Sequence, residues 1–203
     1  MISLAEVQLW GRTIGAVQWN SVRQLGVFEY APEFLRSGIE LAPLQMPLRA
    51  GRFSFPQLAH ETFKGLPGML ADALPDKFGN LLIDQWLVAQ GRDPGSFNPV
   101  ERLLYIGQRG MGALEFAPAT RGHVGAGTPV ELSELVSLAN KALNQKQGLA
   151  VEIIEGEEDA QALNQIIAVG TSAGGARAKA VIAWNEQTGE VRSGQCDTEA
   201  GFR

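Results

Sequence analysis

Between residues 4 and 30, apolar and polar side chains alternate in three short runs. Val7 and Leu9 mark the first, Ile14, Val17 and Trp19 the second, and Val22, Leu25, Val27, Phe28 and Tyr30 the third. Strand side chains point alternately to opposite faces, so this pattern fits half-buried strands. The breaks are short, Gly11-Arg12-Thr13 and Asn20-Ser21. Connections of this length join antiparallel neighbours, and the two residues Asn20-Ser21 suit a tight hairpin. Strands are expected at 4–10, 13–19 and 22–30. A fourth is expected at 39–48, where Pro43 and Pro47 confine it to an edge or split it, because proline cannot donate to a ladder.

Further along, the apolar period lengthens. Residues 51–75 are loop-rich but carry Phe53, Phe55, Phe63, Leu66, Met69, Leu70 and Leu74, with short helical turns expected at 56–61 and 67–73. Pro75-Asp76 opens a helix to about Gln90. Its stripe of Phe78, Leu81, Leu82, Gln85, Trp86 and Ala89 reads as core packing, and Gly91 ends it. A turn-rich connector at 91–98 suits a boundary. Beyond it, a short helix at 99–106, a strand at 113–117, a surface loop at 118–130 and helices at 132–146 and 157–168 are expected. Then come strands at 177–184 and 190–195 around a turn at 185–189. The fold class is α+β in two parts, 1–95 and 96–203. The first is a small antiparallel sheet covered by the helix at 76–90.

Composition narrows the function classes. The chain has 203 residues, 45% of them hydrophobic and 19% charged, which is globular usage able to bury a core. Net charge is −5, and neither half is basic: residues 1–100 carry 8 Lys+Arg against 9 Asp+Glu, the remainder 9 against 13. Direct nucleic-acid binding is therefore disfavoured. No apolar run approaches the ~20 residues of a membrane span. The start, Met1-Ile2-Ser3-Leu4-Ala5-Glu6, lacks a basic region followed by an apolar one, so no secretory signal is expected. Cys196 is the single cysteine, so no internal disulfide forms and the cytoplasm is the expected compartment. His60 and His123 stand far apart, and no zinc site is expected. Asp72 and Asp76 flank Pro75 and read as surface or capping residues. Trp10, Trp19, Trp86 and Trp184 read as core.

The candidate site is Gly170-Thr171-Ser172-Ala173-Gly174-Gly175. Small residues let backbone N–H groups surround phosphate oxygens without a side-chain clash. A Walker loop is excluded, because Ala176-Arg177 follows where Lys-Ser or Lys-Thr is required. A dinucleotide fingerprint is excluded by order, which here is loop then strand. A glycine-rich turn feeding a hairpin is how a kinase N-lobe covers phosphates, although a strict G-x-G-x-x-G is absent. Lys179 adds a cation four residues past Gly175. Spacing alone leaves both a phosphate cradle and an ordinary hairpin turn open.

Three segments together resemble HipA-family kinases. They are Phe63-Lys64-Gly65-Leu66-Pro67-Gly68-Met69-Leu70-Ala71-Asp72-Ala73-Leu74-Pro75-Asp76-Lys77-Phe78-Gly79, Leu103-Leu104-Tyr105-Ile106-Gly107-Gln108-Arg109-Gly110-Met111-Gly112-Ala113-Leu114-Glu115-Phe116, and Gly170 through Ala180. They lie in the family's order and spacing. The resemblance implies an ATP- and Mg²⁺-dependent serine/threonine protein kinase, the toxin of a toxin–antitoxin pair. It implies a helix-turn-helix (HipB-like) antitoxin partner, with DNA reached only through it, and an aminoacyl-tRNA synthetase as the type of protein substrate. It makes 1–95 the family's N-terminal subdomain, and 96–203 a partial kinase N-lobe whose phosphate loop is Gly170–Gly175. Ser172 matches the family's autophosphorylated serine.

The family's strand lysine, catalytic-loop aspartate and metal-binding aspartate have no counterpart up to Arg203. No catalytic or metal-binding residue is therefore assigned, and the isolated chain is expected to be inactive. A fragment of a longer kinase is the expectation. The alternative is a non-catalytic interaction module that binds an antitoxin or a separate kinase subunit.

Overall fold

The computed structural model describes residues 4–110, 112–118 and 182–193. The chain divides into two compact units. The first comprises Met1–Leu74 and Gly95–Arg121, the second Pro75–Pro94 and Gly122–Arg203.

In the first unit the alternating runs form β1 (Leu4–Leu9), β2 (Arg12–Asn20) and β3 (Leu25–Tyr30). β4 (Arg52–Phe53) and β5 (Leu114–Ala117) complete a five-stranded sheet of order β4-β3-β2-β1-β5, with every neighbour antiparallel. The α+β expectation holds for this unit. Trp10 and Gly11 make the β1–β2 turn with φ of 50° and 71°, the left-handed values a two-residue hairpin requires.

The third strand starts later than the alternation suggests. Asn20 Oδ1 accepts from the N–H groups of Val22 and Arg23 at 3.1 and 3.0 Å, folding the residues after it into a turn before Leu25. The strand expected at 39–48 is not formed. Ala42 and Met46 make one isolated bridge around a turn, and pairing to β3 passes to Arg52 and Phe53. Pro43 and Pro47 have no N–H to offer a ladder, and the Met46 carbonyl is occupied by the Tyr30 hydroxyl, which donates to it at 2.9 Å.

Between β1 and β2 the register shifts. Val7 lies opposite Gly15 and Gln8 opposite Thr13, leaving Ile14 without an opposing residue. This is a bulge, and it turns Ile14 into the core, where it is fully buried. Gly15 is required next to it: a Cβ there would stand 2.3 Å from the Glu29 carbonyl oxygen and 2.7 Å from the Phe28 ring.

The inner face of the sheet carries Val7, Val17, Trp19, Phe28, Tyr30 and Phe116. Tyr30 stands edge-on to Phe28 (4.9 Å) and to Phe53 (5.8 Å), and stacks on Phe34 (5.9 Å), which belongs to the short helix α1 (Pro32–Leu35). The short helices α2 (His60–Phe63) and α3 (Gly68–Ala71) follow, close to the turns expected at 56–61 and 67–73. Between them, Gly65 at φ 77° accepts the Gly26 N–H at 2.8 Å. A Cβ at Gly65 would meet the Gln24 carbonyl oxygen at 2.3 Å, so this join to the β2–β3 hairpin admits only glycine.

The helix packed on the sheet is α5 (Pro99–Ile106), which buries six of its eight residues. The helix expected to cover it, α4 (Lys77–Ala89), falls in the second unit. Asp76 caps α4, accepting the Gly79 N–H at 2.8 Å. Among the described residues, Phe78, Gly79, Leu82, Ile83 and Leu87 are the buried ones, so its inward stripe is rotated from the expected one. α5 begins at a capping box. Asn98 Oδ1 accepts from the N–H groups of Val100 (2.9 Å) and Glu101 (3.1 Å), and Glu101 Oε2 accepts the Asn98 N–H (3.0 Å). Pro99 sits at the first helical position, where no N–H is needed.

Two predictions follow from these contacts. Asn98→Ala removes the cap and takes the Nδ2 donor from the buried Glu101 carboxylate while leaving it the backbone N–H of residue 98, so it should cost about 1–2 kcal/mol. In a domain this size that is a fall in Tm of about 4–8 °C per kcal/mol, read by thermal circular dichroism. Tyr30→Phe leaves the buried Met46 carbonyl without its donor, at about 1–3 kcal/mol. Burial first, and then the Glu40 carboxylate, raise the Tyr30 pKa above its ordinary 10.0. The neutral phenol's contribution is therefore complete below pH 10 and fades as pH rises through the higher folded-state value. Urea midpoints from pH 8 to 11 should show a shallower alkaline loss in Tyr30→Phe than in the parent.

Candidate functional site

Gly170, Thr171, Ser172, Ala173, Gly174, Gly175 and Lys179 lie outside the described residues, as do His123, Cys196 and the helices expected at 132–146 and 157–168. What is described is the hairpin that begins three residues past Lys179. It consists of β6 (Ile182–Trp184) and β7 (Val191–Ser193), which fall within the expected strands 177–184 and 190–195.

Its register sets Ile182 opposite Ser193, Ala183 opposite Arg192 and Trp184 opposite Val191. The turn is built by Asn185. Its Oδ1 accepts the N–H groups of Gln187 (3.0 Å) and Thr188 (3.1 Å), its own N–H donates to the Glu190 carbonyl, and its carbonyl accepts from Gly189. Arg192 Nε pairs with Glu190 Oε1 at 2.7 Å. Ala183 is buried while Ile182 and Trp184 are exposed, so the face that contains Ala183 is the inner one.

The other two segments singled out in the sequence are largely described, and their residues hold architecture. In the first, Lys64 and Gly65 take left-handed backbone after α2, Leu66 and Leu70 are buried, and Asp76 caps α4. In the second, Gly107 ends α5, its N–H donating to the Leu103 carbonyl at 2.9 Å. Arg109 Nε donates to the Ile106 carbonyl at 3.3 Å, and its NH2 group to the Tyr105 carbonyl. The guanidinium lies 5.0 Å from the centroid of the Tyr105 ring. A cation on the last carbonyls complements the negative end of the helix dipole. Phe116 then donates its N–H to the Gly107 carbonyl at 3.2 Å, which fastens β5 to the same corner.

The face of the sheet opposite the core is polar. Glu6 Oε1 accepts from Thr13 Oγ1 (2.5 Å) and Gln8 Nε2 (2.7 Å), and these two bonds, Thr13's being the larger effect, hold its pKa below the ordinary value. Glu29 pairs with Arg52 at 3.4 Å, and Glu115 accepts from Gln108 at 3.2 Å. Among the described residues, no group of three or more His, Cys, Asp or Glu side chains is placed to hold a metal ion. The carboxylate row was invisible to motif reading, because it arises only when β5 is laid beside β1 and brings Glu115 opposite Gln8.

Loop tips of the first unit carry apolar side chains outward. Trp10 is 76% exposed, Val22 93% and Leu44 92%. Trp10 and Trp184 thus depart from the core role expected of all four tryptophans, while Trp19 fulfils it. Trp10 is the first residue of a two-residue turn, where no neighbouring strand can cover it.

In comparison with known families, residues 5–117 match the model of the HipA N-terminal domain, more than half of the chain. The match opens on β1 and closes on the last residue of β5. Among curated proteins, none matches the chain.

Arg109→Ala should free the end of α5 and loosen β5, costing about 1–3 kcal/mol. Arg109→Lys should recover only part of this, since an ammonium lacks the planar fork. Amide hydrogen exchange should locate the loss at residues 103–117.

Proposed function

The chain belongs to the family of the HipA N-terminal domain, and on that premise we propose that it is the N-terminal portion of a HipA-like serine/threonine protein kinase. The observation that carries this reading is the family match across the five-stranded unit; the glycine-rich run Gly170–Gly175 lies further along the sequence. In this reading the kinase is a toxin acting in the cytoplasm. It uses ATP and Mg²⁺ to phosphorylate a hydroxyl on a protein of the translation machinery, an aminoacyl-tRNA synthetase by type. A helix-turn-helix antitoxin restrains it and supplies the contact with DNA. No described helix is long and apolar enough to cross a membrane.

The chemistry assigned to this chain is phosphate binding. Backbone N–H groups of Gly170, Thr171, Ser172, Ala173, Gly174 and Gly175 would surround phosphate oxygens, with Lys179 adding positive charge. Mg²⁺ and the catalytic base are assigned to no residue of this chain, and the isolated chain is expected to transfer no phosphate. Ser172 would be both a loop residue and the regulatory acceptor. Its Oγ would take the γ-phosphoryl group and release ADP. The product would carry about −1.5 to −2 charge in the middle of the cradle. That charge repels nucleotide phosphates, so autophosphorylation would switch the site off.

A second reading is favoured by Trp10, Val22 and Leu44, exposed at loop tips of a unit whose described residues are scaffold. In it the chain performs no chemistry and binds an antitoxin or a separate kinase subunit. The intact mass of the protein as its own cell makes it separates the two. About twice 21.8 kDa supports the kinase, and a mass near 21.8 kDa the binding module.

For the kinase, Ser172→Ala in the intact protein should abolish phosphate on the peptide that holds residues 170–175, as read by mass spectrometry after incubation with ATP and Mg²⁺. Phosphate that persists on that peptide would remove Ser172 as the acceptor.

A further inference from the structure

We draw no further inference here: the strongest candidate, the exposed indole of Trp10 held in left-handed backbone at the β1–β2 turn of the first unit, carries nothing because nothing in the structure shows what covers it.

Discussion

The pairing of β5 with β1 is the contact on which the first unit depends. It sets Glu6 opposite Ala117 and Leu9 opposite Leu114, joining segments from opposite ends of the matched region. Closing so long a loop costs entropy that grows only slowly with length, so the long path is affordable once the contact is well made. Here it is reinforced from both sides. Phe116 is buried in the core beside Val7, and its N–H is taken by Gly107 at the end of α5. The order of the sheet follows from that closure. β1 becomes an interior strand, and the unit takes back the chain at Gly95 after leaving it at Leu74.

Around this closure several polar groups of the interior are settled by near neighbours. Glu101 is 2% exposed, and its carboxylate accepts from the backbone and side-chain N–H groups of Asn98. Asn98 serves both sides: its Oδ1 takes the orphan donors of Val100 and Glu101 at the start of α5, and its own N–H groups satisfy the buried acid. At the other end of the helix, Arg109 and Gly107 meet the last carbonyls. Tyr30 does the same for the strap of residues 37–51: its ring joins an aromatic cluster while its hydroxyl holds the Met46 carbonyl. A helix on a sheet is thus fixed in place by a few side chains whose hydrogen bonds leave little choice of position.

Local chemistry was legible in the sequence, and long-range partnership was not. α5 emerges with the expected bounds because Asn98, Pro99 and Glu101 are all start signals within four residues. The alternation of residues 4–30 marks three strands, since each packs one face. It cannot show that Asn20 folds the start of the third run into a turn, because that depends on a side chain choosing backbone donors. Residues 39–48 look strand-like from their apolar content, yet two prolines and the Tyr30 hydroxyl withdraw the groups a ladder needs. Trp10 looked like core by residue type, and its place at a turn decides otherwise. The periodic stretch at 76–90 is the longer of the two helices, yet the shorter α5 is the more completely buried and is the one packed on the sheet. Of the candidate site, the run Gly170–Gly175 is plain in the sequence because glycine clusters are rare. The acidic row formed by Glu6, Glu29 and Glu115 is not, because pleating and register assemble it.

The bond from Phe116 to the Gly107 carbonyl has a further consequence. A terminal strand with free N–H and C=O groups is a template on which a foreign strand can grow, the first step toward domain swapping and fibrils. At Phe116 that template is blunted from within the chain. An incoming strand must displace the end of α5 before it can register with β5, which exposes Leu103, Leu104 and Ile106 to water. Growth at this edge is therefore tied to partial unfolding of the helix, and the barrier against aggregation rises with the stability of α5 itself.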